Sequence, residues 1–93
     1  IGEENLLVIH TPGHTAGGIC LQGNGILFSG DTLFYGSVGR TDFPGGWPQQ
    51  MTASIKKLMN LLADEVKVYP GHGPETTIGR ERKTNQWIIG RPR

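Results

Sequence analysis

The chain has 93 residues, 35% of them hydrophobic, with a formal net charge of +1. That balance carries no electrostatic footprint for nucleic acid or an anionic membrane surface. No apolar run approaches the roughly 20 residues of a membrane-spanning helix, and the length allows one small core.

Fifteen glycines and six prolines fall between the apolar runs, which reads as many tight turns rather than disorder. The single cysteine, Cys20, excludes an intrachain disulfide and fits a reducing compartment such as the cytoplasm, or a buried thiol. Residue 1 is Ile, and a strand-like run begins soon after Gly2-Glu3-Glu4-Asn5. The expectation is a piece of a longer protein, because so short a chain offers little core.

Leu6-Leu7-Val8-Ile9 is a short apolar run that reads as a buried strand. It leads into His10-Thr11-Pro12-Gly13-His14-Thr15. Pro restricts one backbone angle and Gly permits a left-handed one, so this turn aims an imidazole without strain. A surface turn histidine is the plainer reading of His14 taken alone. His10 suits a supporting role, fixing the turn by hydrogen bonding, better than direct ligation.

Gly18-Ile19-Cys20-Leu21 and Ile26-Leu27-Phe28 flank Gln22-Gly23-Asn24-Gly25, which predicts a β-hairpin with Asn24-Gly25 at its turn. The second strand runs into Ser29-Gly30-Asp31-Thr32. Asp31 suits a helix cap or an Asx-turn, but no helix follows for many residues, which weakens the cap reading; a carboxylate is also able to bridge two ions.

Residues 30–47 read as a long ordered loop, and such loops in compact domains are usually functional. Within it Arg40 and Asp42 either pair with each other or contact substrate, with pairing favoured. Glu81 is an alternative partner for Arg40. Tyr35 either donates a hydrogen bond into the site or packs as a loop aromatic, and Trp47 reads as a loop anchor.

Pro48 suits a first helical position. Met51, Ile55, Leu58, Met59 and Leu62 form a stripe of helical period, so a helix is predicted over about 48–62. Glu65-Val66-Lys67-Val68-Tyr69 alternates as a strand and stops at Pro70. Pro70-Gly71-His72-Gly73-Pro74 then presents a histidine between glycines and outer prolines, much restriction for an ordinary surface residue. Thr77 is placed to cap a last helix through about Ile89, weakened by Gly79, with Trp87 and Ile88 on its buried face.

Three turns, each after a strand, thus present His14, Asp31 and His72. If the strands are neighbours, the turns meet at one sheet edge, and the donors suit Zn²⁺, Mn²⁺ or Fe²⁺. The expected fold class is α/β (α+β): one mixed sheet with helices on one face. Its other face keeps apolar side chains that need a cover. Three histidines in all cannot complete a two-metal site.

The runs HTPGHTAGG, FSGDTLF, GRTDFPGG and VYPGHGPETTIGRERKTN together resemble the metallo-β-lactamase superfamily, and its hydroxyacylglutathione hydrolase (glyoxalase II-like) branch most. The match covers nearly the whole chain but only the C-terminal half of that αββα sandwich, so residues 1–93 read as one half-domain. The N-terminal signature His-x-His-x-Asp-His is absent from it.

The resemblance implies that His14 binds a first metal, that Asp31 bridges both, and that His72 binds the second. It implies two zinc ions in the complete site, with iron or manganese as alternatives. It implies hydrolysis of a thioester, typically S-lactoylglutathione, by metal-activated hydroxide, with the isolated chain inactive. Ala16 stands where the family commonly has proline. The chain ends soon after Trp87, with no glutathione-binding helical domain, which favours the short bacterial type.

Two other readings stay open. One is a persulfide dioxygenase-like enzyme on the same fold, sharing a GRTDF-like loop and using one iron held by two histidines and an aspartate. Members of that branch tend to lack a glycine-flanked histidine like His72. The other is a non-catalytic half-domain whose uncovered face pairs with the missing half or with a second copy in a homodimer.

Overall fold

A computed structural model describes residues 6–42 and 46–89. The opening Gly2–Asn5 and residues 43–45 of the long loop lie outside the described residues. Among the described residues, seven strands and two helices follow in order: β1 (Leu7–His10), β2 (Ile19–Gly23), β3 (Ile26–Gly30), β4 (Leu33–Phe34), β5 (Ser37–Val38), α1 (Pro48–Leu61), β6 (Lys67–Pro70), β7 (Thr76–Thr77) and α2 (Ile78–Thr84).

Five strands form one mixed sheet in the order β1-β2-β3-β6-β7, and β4 and β5 form a separate small hairpin. β1 is antiparallel to β2, and β2 to β3, so β1 and β3 run in the same direction. β6 lies parallel to β3 after the crossover through α1. The C-terminal ends of β1, β3 and β6 therefore share one edge of the sheet.

The β2–β3 hairpin forms as expected. Gly23 pairs with Ile26, and Asn24 and Gly25 take the left-handed angles (φ 56° and 77°) that a two-residue hairpin turn requires. Strand alternation then sorts the side chains. Ile9, Cys20, Leu27 and Val68 are buried on one face, together with Met51, Ile55, Leu58 and Met59 of α1 and Ile78 of α2. Both helices thus contribute to one core, on one face of the sheet.

The opposite face carries the row Val8, Leu21, Phe28 and Tyr69, each paired with the next across the strands. Val8 is 58% and Phe28 43% exposed, so this apolar face has no cover among the described residues.

Helix α1 starts at Pro48, as the sequence predicts, and ends one residue short of Leu62. Its last turn holds no basic residue to meet the terminal carbonyls. Arg82 of α2 does that instead. It donates to the carbonyls of Met59 (2.9 Å) and Leu62 (3.0 Å) and to the Asp64 carboxylate (2.8 Å).

Four expectations are corrected. Strand β6 runs over 67–70, not 65–69, and β1 includes His10. The stretch 30–47 is not all loop, because β4 and β5 pair within it. Helix α2 is capped by Thr77, whose hydroxyl accepts from the Arg80 amide (3.0 Å), but it stops at Thr84 rather than near Ile89.

The reason for that stop is Asn85. It is fully buried, and its amide group donates to the Ser37 carbonyl (3.2 Å) and accepts from the Trp87 amide (2.8 Å). Those bonds turn the chain out of the helix. Trp87 ends 52% exposed, whereas Ile88 packs on the core as expected.

Replacing Arg82 by leucine is expected to lower stability by about 1–2 kcal/mol, the scale of charged hydrogen bonds discounted for partial exposure. Chemical denaturation of the folded protein checks this. An unchanged midpoint contradicts the assigned role.

Candidate functional site

The turn that carries His14 is pinned to the start of α1. The Ser54 hydroxyl donates to the Pro12 carbonyl (2.7 Å), and the Trp47 amide donates to the Gly13 carbonyl (2.7 Å). Trp47 thus anchors the loop through its backbone, while its side chain is 55% exposed. Gly13 has φ 147°, and a Cβ there would lie 2.5 Å from the Met51 Cα. Only glycine fits between turn and helix.

His10 Nε2 bonds the Ala16 carbonyl (3.2 Å) across the same turn. Beneath the turn, the buried hydroxyls of Thr11 and Thr32 bond each other (3.1 Å), joining the ends of β1 and β3. Cys20 packs beside them, and its burial pushes the thiol's pKa up, so it stays protonated.

His14 Nδ1 lies 2.9 Å from the Arg40 carbonyl oxygen. A carbonyl only accepts, so Nδ1 carries the proton. In the neutral ring, Nε2 is then the nitrogen with the lone pair. That Nε2 faces Asp31 Oδ2 at 3.7 Å. On the other side, His72 Nδ1 lies 3.3 Å from Asp31 Oδ1. The β3–β6 pairing makes this approach: Gly30 is opposite Pro70, and the Gly71 amide donates to the Gly30 carbonyl (2.8 Å).

The structure therefore brings together His14, Asp31 and His72, the three residues singled out from the sequence. They do not close around one point. They form two pairs that share Asp31, one histidine to each carboxylate oxygen. Among the described residues, no set of three such side chains is gathered closely enough to hold an ion alone. The pair distances nonetheless suit metal donors, because tetrahedral ligands about 2.0–2.2 Å from zinc lie roughly 3.3–3.6 Å apart.

Arg40 and Asp42 pair through Nε and Oδ1 at 3.0 Å, both well exposed. The guanidinium holds the Asp42 carboxyl below its usual range. Glu81 is not the partner of Arg40; it pairs with Arg80 (2.9 Å). Tyr35 is half-exposed, and the Arg80 guanidinium lies 3.7 Å from its ring centroid. Its ring serves as a platform for Arg80.

Two contributors escape a sequence reading. Phe34 stands beside His72, ring centroids 6.1 Å apart. Gly39 is buried under the site, where an added methyl would strike the Asp31 carbonyl oxygen and lie 3.2 Å from His14 Cβ. One glycine in a glycine-rich loop gives no local sign of such crowding. A groove of about 610 Å³ between α1 and residues 87–89 is lined by Met51, Ile55, Met59 and Trp87 and lies apart from the paired donors. A smaller one, of about 340 Å³, opens beside Gly39, Arg40 and Asp42.

The family model of the Metallo-beta-lactamase superfamily matches residues 2–72, and the chain belongs to that superfamily. Hydroxyacylglutathione hydrolase GloC of Haemophilus influenzae is 40% identical over 86 residues, covering 90% of this chain and 41% of that protein.

Among solved structures, TTHA1623 in a di-iron-bound form aligns with a TM-score of 0.82 and 48% identity, over 86% of this chain and 41% of that one. ETHE1 from Myxococcus xanthus aligns with a TM-score of 0.90 and 35% identity, over 99% and 43%. The chain thus spans about two-fifths of the length of the relatives it matches.

Gly39→Ala is expected to destabilise the folded protein by about 1–3 kcal/mol, the usual range for overpacking. It should also shift the His14 ring resonances in NMR spectra. Gly17→Ala, where a methyl meets open space, should leave both unchanged. Equal behaviour of the two variants contradicts the crowding at Gly39.

Proposed function

We propose that this chain supplies the bridging half of a two-metal site in a hydrolase of glutathione-type thioesters. The observation that carries the reading is the Asp31 carboxylate, with Oδ2 toward His14 and Oδ1 toward His72. A carboxylate so placed suits two ions held about 3.5–4 Å apart.

His14 would hold one ion, His72 the other, and Asp31 both. Zinc is the proposed metal, with iron or manganese as alternatives. The likeness to a hydroxyacylglutathione hydrolase supports the substrate class, and the di-iron-bound neighbour supports a paired site. When bound, such ions polarise a carbonyl and acidify water.

The chain's own residues do the positioning. The Arg40 carbonyl keeps the His14 proton on Nδ1 and leaves Nε2 as donor. The groove beside Arg40 and Asp42 has room for a remote part of the substrate. The remaining ligands come from the segment carrying His-x-His-x-Asp-His, which this chain lacks.

That segment is also the proposed cover for the open sheet face of Val8, Ile19, Leu21 and Phe28, with a second copy as the competing occupant. Size exclusion at rising concentration separates the two from a monomer with a bare face. No helix among the described residues is long and apolar enough to cross a membrane, and a cytoplasmic location is part of the same proposal.

The likeness to Myxococcus xanthus ETHE1 supports a second reading, a persulfide dioxygenase-like enzyme with one iron. The His72–Asp31 pair favours two ions.

In the complete protein, about two ions per chain and hydrolysis of S-lactoylglutathione are expected. Asp31→Ala should lower kcat/KM by more than the roughly 100-fold that losing an outer-shell partner causes. Elemental analysis with a thioester assay checks both. One iron per chain, with oxygen-dependent turnover of a persulfide, supports the second reading. Thioesterase activity in the pure 93-residue chain, abolished by Asp31→Ala, contradicts the half-site account.

A further inference from the structure

Glu81 is fully buried, yet it accepts four hydrogen bonds. Its Oε1 takes the Gly36 amide (3.0 Å) and Asn85 Nδ2 (2.7 Å). Its Oε2 takes the Thr76 hydroxyl (2.6 Å) and Arg80 Nη1 (2.9 Å). A buried carboxylate is costly unless every lone pair is met, and an apolar side chain would fill the space more cheaply. What the carboxylate adds is a defined position for its donors.

One of those donors, the Gly36 amide, belongs to the tip of the β4–β5 hairpin, and two others, Asn85 and Arg80, hold its neighbours. Gly36 is bound by Glu81, Ser37 is bound by Asn85, and Tyr35 lies under Arg80. The base of the same hairpin is closed by the Gly39 amide on the Thr32 carbonyl (3.0 Å). One arm begins next to Asp31 and carries Phe34, which stands against His72. The other arm ends at Arg40, whose carbonyl holds His14 Nδ1. The hairpin therefore touches all three donor residues and is clamped at its far end by α2.

We propose that Glu81 is a positioning residue for the metal site. By clamping Gly36 it holds the β4–β5 hairpin in register, and through it the Arg40 carbonyl that orients His14 and the Phe34 ring that backs His72. The proposal rests on the metal-site reading above.

Its test compares zinc affinity, by chelator competition, with thermal stability in the complete protein. Glu81→Leu removes all four acceptors and is expected to weaken zinc binding by about 10–100-fold, the range for outer-shell partners. Glu81→Gln should restore affinity to near wild type. Its oxygen can stay on Gly36 and Asn85, while its amide group faces the Thr76 hydroxyl, which can accept, and the half-exposed Arg80. Arg82→Leu, which loosens α2 from α1 but not from the hairpin, should lower Tm and leave affinity unchanged.

Zinc affinity that follows Tm across all three variants overturns the proposal, as does unchanged affinity in Glu81→Leu. If Glu81→Leu does not fold, Asn85→Ala removes the bonds to Ser37 and to Glu81 Oε1 and keeps the carboxylate on Gly36. A several-fold loss of affinity there supports the proposal, and none overturns it. A wild-type protein whose zinc affinity is indifferent to His14→Ala overturns the site reading, and this inference with it.

Discussion

The parallel pairing of β6 on β3 is the constraint on which the rest of this structure depends. Gly30 lies opposite Pro70, and the Gly71 amide bonds the Gly30 carbonyl, so the two strands end together. Because β1 runs in the same direction two strands away, its turn reaches the same edge. Residues 14, 31 and 72, far apart in the chain, become neighbours by backbone hydrogen bonding before any side chain contributes. Ligand sites commonly gather at the C-terminal ends of strands in open sheets for this reason.

Around that edge the supports are short and local. Ser54 and Trp47 fasten the His14 turn to α1, and the Arg40 carbonyl selects its tautomer. Gly39 and Gly71 let backbone come close enough for both histidines to face one carboxylate. The outcome is a donor set split into two pairs. On the proposed reading a half-domain is chemically reasonable: it would hold the shared ligand and one histidine for each ion, with a covering segment left to complete both shells.

Much of this was legible in the sequence because it rests on strong local signals. Asn24-Gly25 between apolar runs specifies a hairpin, and the stripe from Met51 to Leu62 specifies α1. The three glycine-bearing turns single out His14, Asp31 and His72, which the structure brings to one edge of the sheet. The two-residue strands β4, β5 and β7 were not legible, since so short a run carries no period. Nor was the end of α2. It is set by what Asn85 bonds in space, namely Ser37 and Glu81, partners that no local pattern reveals. Glu81 itself looks like an ordinary helix carboxylate until its burial is seen.

If Asp31 serves two ions at once, as proposed, X-ray absorption on the metal-loaded complete protein will see both. A metal–metal scattering path at about 3.5–4 Å is expected, together with nitrogen and oxygen ligands near 2.0–2.2 Å. A single ion with no metal neighbour in the saturated protein would contradict that proposal.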